Sequence, residues 1–223
     1  MRSLSVVIAV LLYGPATAAE PPKDLLAKIA AAYGTTAPAA IVEEGTTTSF
    51  RRGDGKLLRQ YQSPDRFSIR IDYSTGSEAR VMVGEKAWQQ GMPANPMLRG
   101  AIALQVARIA LPWNMLAKRS SLVDLGPVAA PGSGHAIEFP LEEQLKLIVE
   151  VDPASGRILR SRGIYRMGEG TMEFATAYSD FRANNGRLHA AREEHYAMGQ
   201  HTGYSVIEKV SYPKNLPDSA FTP

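Results

Sequence analysis

Apolar residues recur along this chain in two rhythms, and the changes of rhythm mark its elements. Leu25, Leu26, Ile29, Ala30 and Tyr33 fall at helical spacing, with Asp24 placed to cap that helix and Gly34 to end it. Beyond Pro38 the period shortens to two. In Phe67–Tyr73 the side chains of Phe67, Ile69, Ile71 and Tyr73 share one face and those of Ser68, Arg70 and Asp72 the other. The same alternation sets Ala79, Val81 and Val83 on one face, and Leu145, Leu147, Val149 and Val151 opposite Lys146 and Glu150. Each run reads as a strand with one buried and one wet face.

Turn chemistry separates the runs. Arg52-Gly-Asp-Gly55, Asp152-Pro-Ala-Ser-Gly156 and Ala183-Asn-Asn-Gly186 each predict a link between antiparallel strands. The pattern amounts to about eleven strands in a meander, stopped by Pro213 and Pro217. One segment interrupts it. From Met97 to Lys118, Leu98, Ile102, Val106, Ile109, Trp113 and Leu116 form a stripe at three- and four-residue steps, leaving Arg99, Arg108 and Lys118 for the other side. Pro112 predicts a break there and a second short helix starting near it. Helix, strands, helices, strands is the order of an α+β fold: an antiparallel sheet with helices gathered on one side.

Residues 1–19 predict export. Arg2 gives a positive start, Ser3 to Leu12 is nearly all apolar, and Ala16-Thr-Ala-Ala19 offers the small residues of a cleavage site, so the mature chain is expected to begin at Ala19 or Glu20. The apolar run is shorter than the ~20 residues of a membrane-spanning helix. Without cysteine, neither disulfides nor a lipid-modified cysteine is available, which points to a periplasmic protein held together by core burial in a single domain, 20–223. The net charge of +3 is mild and its residues are scattered, so nothing calls for nucleic acid.

Several local motifs and the order of elements resemble the LolA/LolB-like superfamily of periplasmic outer-membrane lipoprotein carriers. They are the helix Lys23–Tyr33, Gly55-Lys-Leu57, Ser63-Pro-Asp-Arg-Phe67, Val81-x-Val83-Gly84 followed by Trp88, the helical interruption at 97–118, Leu147–Pro153 with Gly156, and the tail Leu216–Phe221. The resemblance implies an incomplete, strongly curved antiparallel β-barrel whose open side is lidded by helices, with an apolar cavity between. Lipoprotein carriers of the family commonly have an arginine before the strand-opening proline that latches the lid; here the position is Ser63, so that latch is not carried over.

The expected contacts in such a cavity are Phe67, Ile69, Ile71, Val81, Val83 and Trp88 on the sheet and Ile102, Val106, Ile109 and Trp113 on the lid. The expected function is a periplasmic carrier or binding protein for a lipid, acyl chain or lipoprotein, with an envelope membrane protein as donor or acceptor. The alternative is a periplasmic sensor of the same fold that contacts an envelope partner through Arg160, Arg162 and Arg166, which share a strand face.

Chemistry of other kinds is unmarked, and no cofactor is expected. No nucleophile elbow, metalloprotease helix or phosphate loop occurs, so no enzyme is expected. His189, His195 and His201 recur every six residues, but six residues of strand span about 20 Å, too far for one metal. Glu43-Glu44, Glu142-Glu143 and Glu193-Glu194 point to opposite faces pair by pair and read as surface charge.

Overall fold

The structure is a computed structural model and describes residues 21–128 and 134–223; the expected signal peptide lies outside the described residues. The chain opens with α1 (Lys23–Tyr33), which buries Leu25, Ile29 and Tyr33. Pro22, not Asp24, takes the capping position, and Asp24 sits in the first turn, where its charge meets the positive end of the helix.

Six strands follow: β1 (Ala40–Ser49), β2 (Gly53–Gln62), β3 (Arg66–Tyr73), β4 (Gly76–Val83), β5 (Lys86–Gln89) and β6 (Met92–Pro93). Then come α2 (Pro96–Ile109) and α3 (Leu111–Ala117), separated at the position that Pro112 predicts. Seven strands complete the sheet: β7 (Val123–Pro127), β8 (His135–Glu142), β9 (Leu145–Val151), β10 (Ile158–Met167), β11 (Gly170–Asn184), β12 (Arg187–Ala197) and β13 (Gln200–Ser211). The described sheet thus has 13 strands rather than about eleven. With four and two residues, β5 and β6 are too short for a period of two to show in the sequence.

All pairings are antiparallel, and the order runs from β6 down to β1, then from β13 down to β7. The halves are joined by β1 against β13, while edges β6 and β7 stay unpaired with each other, so the sheet curls without closing. Chain order takes α2 and α3 from the one edge strand to the other, and they cover the concave face. Among the described residues no helix is long and apolar enough to cross a membrane.

The main core lies between concave face and helices, with Ile29, Phe67, Ile102, Leu104, Met115, Ile137, Leu147 and Val149 fully enclosed. Two glycines let α2 seat closely. A Cβ on Gly163 of β10 would lie 2.5 Å from Leu104 of the helix, and one on Gly100 of the helix 2.9 Å from the Tyr165 ring of β10. Such distances are well inside contact, so each glycine makes the groove its partner fills.

The convex face is also covered in one place. The 3-10 turn Asp218–Phe221 packs on β3 and β4, burying Phe221 beneath Arg66, whose guanidinium lies 4.4 Å from the ring centre and pairs with Asp218 at 2.8 Å.

Candidate functional site

A cavity of about 550 Å³ lies between the concave face and the lid, within the ~300–1,000 Å³ usual for a small-molecule site. Strand register decides which side chains reach it. Leu57 and Arg59 of β2 stand opposite Ile71 and Ile69 of β3, which stand opposite Glu78 and Arg80 of β4. Directly paired residues face the same way, so Ile69, Ile71, Glu78 and Arg80 all line the cavity.

The ten expected contacts divide accordingly. Ile69, Ile71, Ile102, Ile109 and Trp113 line the cavity together. Phe67 is fully buried in the core beside it, and Val106 lines a smaller cavity with Met82, Ala103 and Leu141. Val81, Val83 and Trp88 are on the other face. Val81 is registered with Ser68 and Trp88, and Val83 with Arg66, so all three take the convex side. Val81 is buried there because the C-terminal turn covers β3 and β4; apolar character at odd positions of β4 marked that contact rather than the cavity.

The concave face also carries a polar band that the sequence reading assigned to the surface. Arg59 bonds both carboxylate oxygens of Glu193 at 3.0 Å, and its Nε lies 2.6 Å from Glu43. Both acids therefore face the cavity, contrary to their expectation as surface charge. Burial pushes the Glu43 carboxyl up, against the pull of Arg59 and with a push from Glu193. Burial acts the same way on Glu193, but Arg59, His195 and Arg108 outweigh it and hold that carboxyl below its ordinary value. Arg59 itself, although desolvated, is held charged by the two acids.

Further along the band, the Arg108 guanidinium donates from Nε to Ser161 Oγ at 2.9 Å and from Nη2 to the Phe174 carbonyl at 2.6 Å. Ser161 Oγ also meets Tyr178 Oη at 2.9 Å. Burial lowers Arg108 from its ordinary value and pushes the Tyr178 phenol up to about 12. His195 Nε2 lies 2.8 Å from Ser205 Oγ, which donates to Thr47 at 3.0 Å, and burial lowers its pKa. Arg108 thus lines the cavity instead of the solvent side, because α2 is wrapped by sheet over more than one stripe: Ala103, Leu104 and Ala107 are buried as well as Ile102 and Ile109.

A sequence signal for this band exists. Arg59 sits two residues from both Leu57 and Tyr61, Glu43 two from Ile41 and Glu193 two from Ala191, and all four of those neighbours are buried. A charge in phase with a buried alternation belongs to the buried face. His189 and His195 share the cavity, whereas His201, past the turn at Gly199, pairs with Glu194 at 2.7 Å. No group of three His, Cys, Asp or Glu side chains among the described residues converges as metal ligands would.

Arg160 and Arg162 share the convex face of β10. The Arg160 guanidinium lies 5.7 Å from the Tyr196 ring, and Arg162 pairs with Glu173 at 3.5 Å and Glu150 at 3.8 Å. Arg166, an even number of residues along the strand, lies on that face with its side chain exposed.

A curled, unclosed antiparallel sheet with helices over its concave face is found in solved structures. A LolA superfamily protein from Nitrosomonas europaea superposes with a TM-score of 0.58 at 13% identity, covering 90% of this chain and 97% of that one. The fold is LolA-like. A domain from Vibrio parahaemolyticus described as outer-membrane lipoprotein-sorting gives a TM-score of 0.55 at 10% identity, over 89% of this chain and 94% of that one. A DUF1329 family protein from Desulfovibrio piger gives 0.50 at 12% identity, over 89% and 94%. No protein-family profile and no curated protein sequence matches the chain. At these identities the likeness extends to the LolA-like fold and not to a shared cargo.

Proposed function

We propose that this protein is a periplasmic carrier or binding protein that shields a lipid or acyl chain between its curled sheet and helical lid, with an envelope membrane protein as donor or acceptor. The observation that carries this reading is the cavity of about 550 Å³, whose walls pair Ile69 and Ile71 of the sheet with Ile102, Ile109 and Trp113 of the lid. Each methylene moved from water into such a space contributes about 0.8 kcal/mol, so shape and apolar area can hold an acyl chain without nucleotide or metal. Transfer then requires only an acceptor of higher affinity.

Two observations favour the carrier over the sensor reading. Arg160 and Arg162, two of the three arginines a partner would use, are already engaged by Tyr196, Glu150 and Glu173. The similar solved structures include a lipoprotein-sorting domain. The test is native mass spectrometry of protein taken from the periplasm of its own host, followed by titration of the delipidated protein with long-chain lipids while tryptophan emission is recorded. Co-purified lipid and a saturable change from Trp113 are expected; a lipid-free protein with unchanged emission overturns the reading.

A further inference from the structure

We propose that the cavity is built for a single-chain amphiphile with an acidic head, and that Arg108, assisted by Gln105, binds that head. The proposal rests on the cavity being a lipid site and adds the chemistry of the ligand's polar end.

Three arginines line the cavity, and their pairing differs. Arg59 is held by Glu43 and Glu193, and Arg80 by Glu78. Arg108 has only the Ser161 hydroxyl and the Phe174 carbonyl, with no carboxylate in ion-pair range among the described residues. Glu193, which accepts from Arg59, acts on Arg108 by charge at a distance and makes no hydrogen bond or ion pair with it among the described residues. The two bonds Arg108 makes use Nε and Nη2, which leaves Nη1 and its two N–H groups without a protein partner among the described residues. A guanidinium surrounded by protein and paired with neutral groups is costly, and an anion brought into the same low-dielectric space offsets that cost.

Gln105 supplies the second point of recognition. It stands three residues before Arg108 on α2, hence on the neighbouring turn of the same face, and it also lines the cavity. Its buried Oε1 has no hydrogen-bond partner among the described residues, and no other bond holds the amide. An amide left free beside an under-paired guanidinium can turn its NH₂ to one oxygen of an acid while Arg108 takes the other. Ile102 and Ile109, to either side on the helix, then receive the start of the chain, and Ile69 and Ile71 line its path along the sheet. The volume suits one drug-sized molecule rather than several acyl chains together.

The experiment compares a long-chain fatty acid, its methyl ester and an alkyl phosphate, all of one chain length, on delipidated wild-type protein and on Arg108→Gln, which keeps an amide for Ser161 and Phe174. Wild type is expected to bind the acid or the phosphate about tenfold or more tighter than the ester, the scale of one charge-assisted hydrogen bond. Arg108→Gln is expected to erase that gap by weakening the acidic ligands alone, and whichever acid binds tighter names the head group. Equal binding of acid and ester by wild type overturns the acidic head while leaving the lipid site standing. Equal weakening of all three by Arg108→Gln overturns it too, because Arg108 then acts only by holding the lid. If none of the three binds wild type, the lipid site itself fails. Should Arg108→Gln not fold, Gln105→Leu takes its place, with a loss confined to the acidic ligands expected.

Discussion

Arg108 on the lid helix and Ser161 on β10 are joined by a bond of 2.9 Å from Nε to Oγ, and Ser161 has no solvent-exposed surface at all. The lid is therefore fastened to the sheet by a buried polar contact, beside the bond from Arg108 Nη2 to the Phe174 carbonyl. The same hydroxyl meets Tyr178, so two other side chains depend on one oxygen.

Ser161→Ala should loosen the lid without unfolding the sheet. Arg108 Nε and Tyr178 Oη would lose a buried partner, at a cost of about 1–3 kcal/mol, or a fall in melting temperature of about 2–4 °C for each kcal/mol. Amide hydrogen exchange should accelerate in α2 and stay unchanged in β8 and β9. Acceleration spread evenly over the whole sheet would show that the bond does not act on the lid.

Arg59→Met should be among the most damaging single changes, because it strands Glu43 and Glu193 in the cavity wall. Removing one partner from a buried ion cluster costs about 3–5 kcal/mol, whereas replacing the whole cluster by apolar residues is often neutral. Urea denaturation of Arg59→Met and of the triple variant Glu43→Leu, Arg59→Met, Glu193→Leu checks this: the triple variant is expected to recover most of the lost stability.

Ile69→Glu should fold and fail to bind. In register Ile69 lies between Arg59 and Arg80, so a carboxylate there meets two guanidinium groups and the water of an open cavity. The apolar wall is broken, and long-chain binding should weaken at least tenfold, the loss of about 1.5 kcal/mol or more of apolar contact. Calorimetric titration with a fatty acid, beside a thermal melt, separates the two effects.

Acidification above the carboxylate range should destabilise the protein through His195. Its folded pKa lies below the ordinary value because burial disfavours the cation, so the unfolded chain takes up a proton first. The stability is fully present above pH ~6.5 and is lost as pH falls below that, at up to about 1.4 kcal/mol per pH unit. Burial lowers His189 in the same direction, with help from Arg182. Urea midpoints at pH 7.5 and 5.5 should differ in wild type and differ less in His195→Gln.

Gly163→Val should displace the lid by filling the groove that Leu104 occupies. Overpacking of this kind costs about 1–3 kcal/mol. The variant should melt lower, and Leu104→Ala placed with it should restore part of the loss, a coupling that a double-mutant cycle measures.

Period and turn chemistry were enough to read the longer strands of the sheet. Alternation in Phe67–Tyr73 and Leu145–Val151 marked strands and their buried faces, and the Asp152–Gly156 turn joins β9 to β10 as its residues predict. Pro112 likewise marked the break between α2 and α3, because a missing N–H and a fixed φ act locally. Those features depend on neighbours in the chain, and a single sequence contains them. Which face of β4 meets the cavity depends on its register with β3 and on a turn more than a hundred residues later, so Val81, Val83 and Trp88 could not be placed from their own alternation. Arg108 sits in a helix whose buried arc is set by sheet on more than one side, and Arg59 finds Glu193 across a separation of 134 residues. The sequence by itself determined the longer strands, the helix break and the apolar stripe of the lid; only tertiary structure turned scattered charges into the polar band of a cavity, because pairing across a curled sheet brings together groups that no local pattern connects.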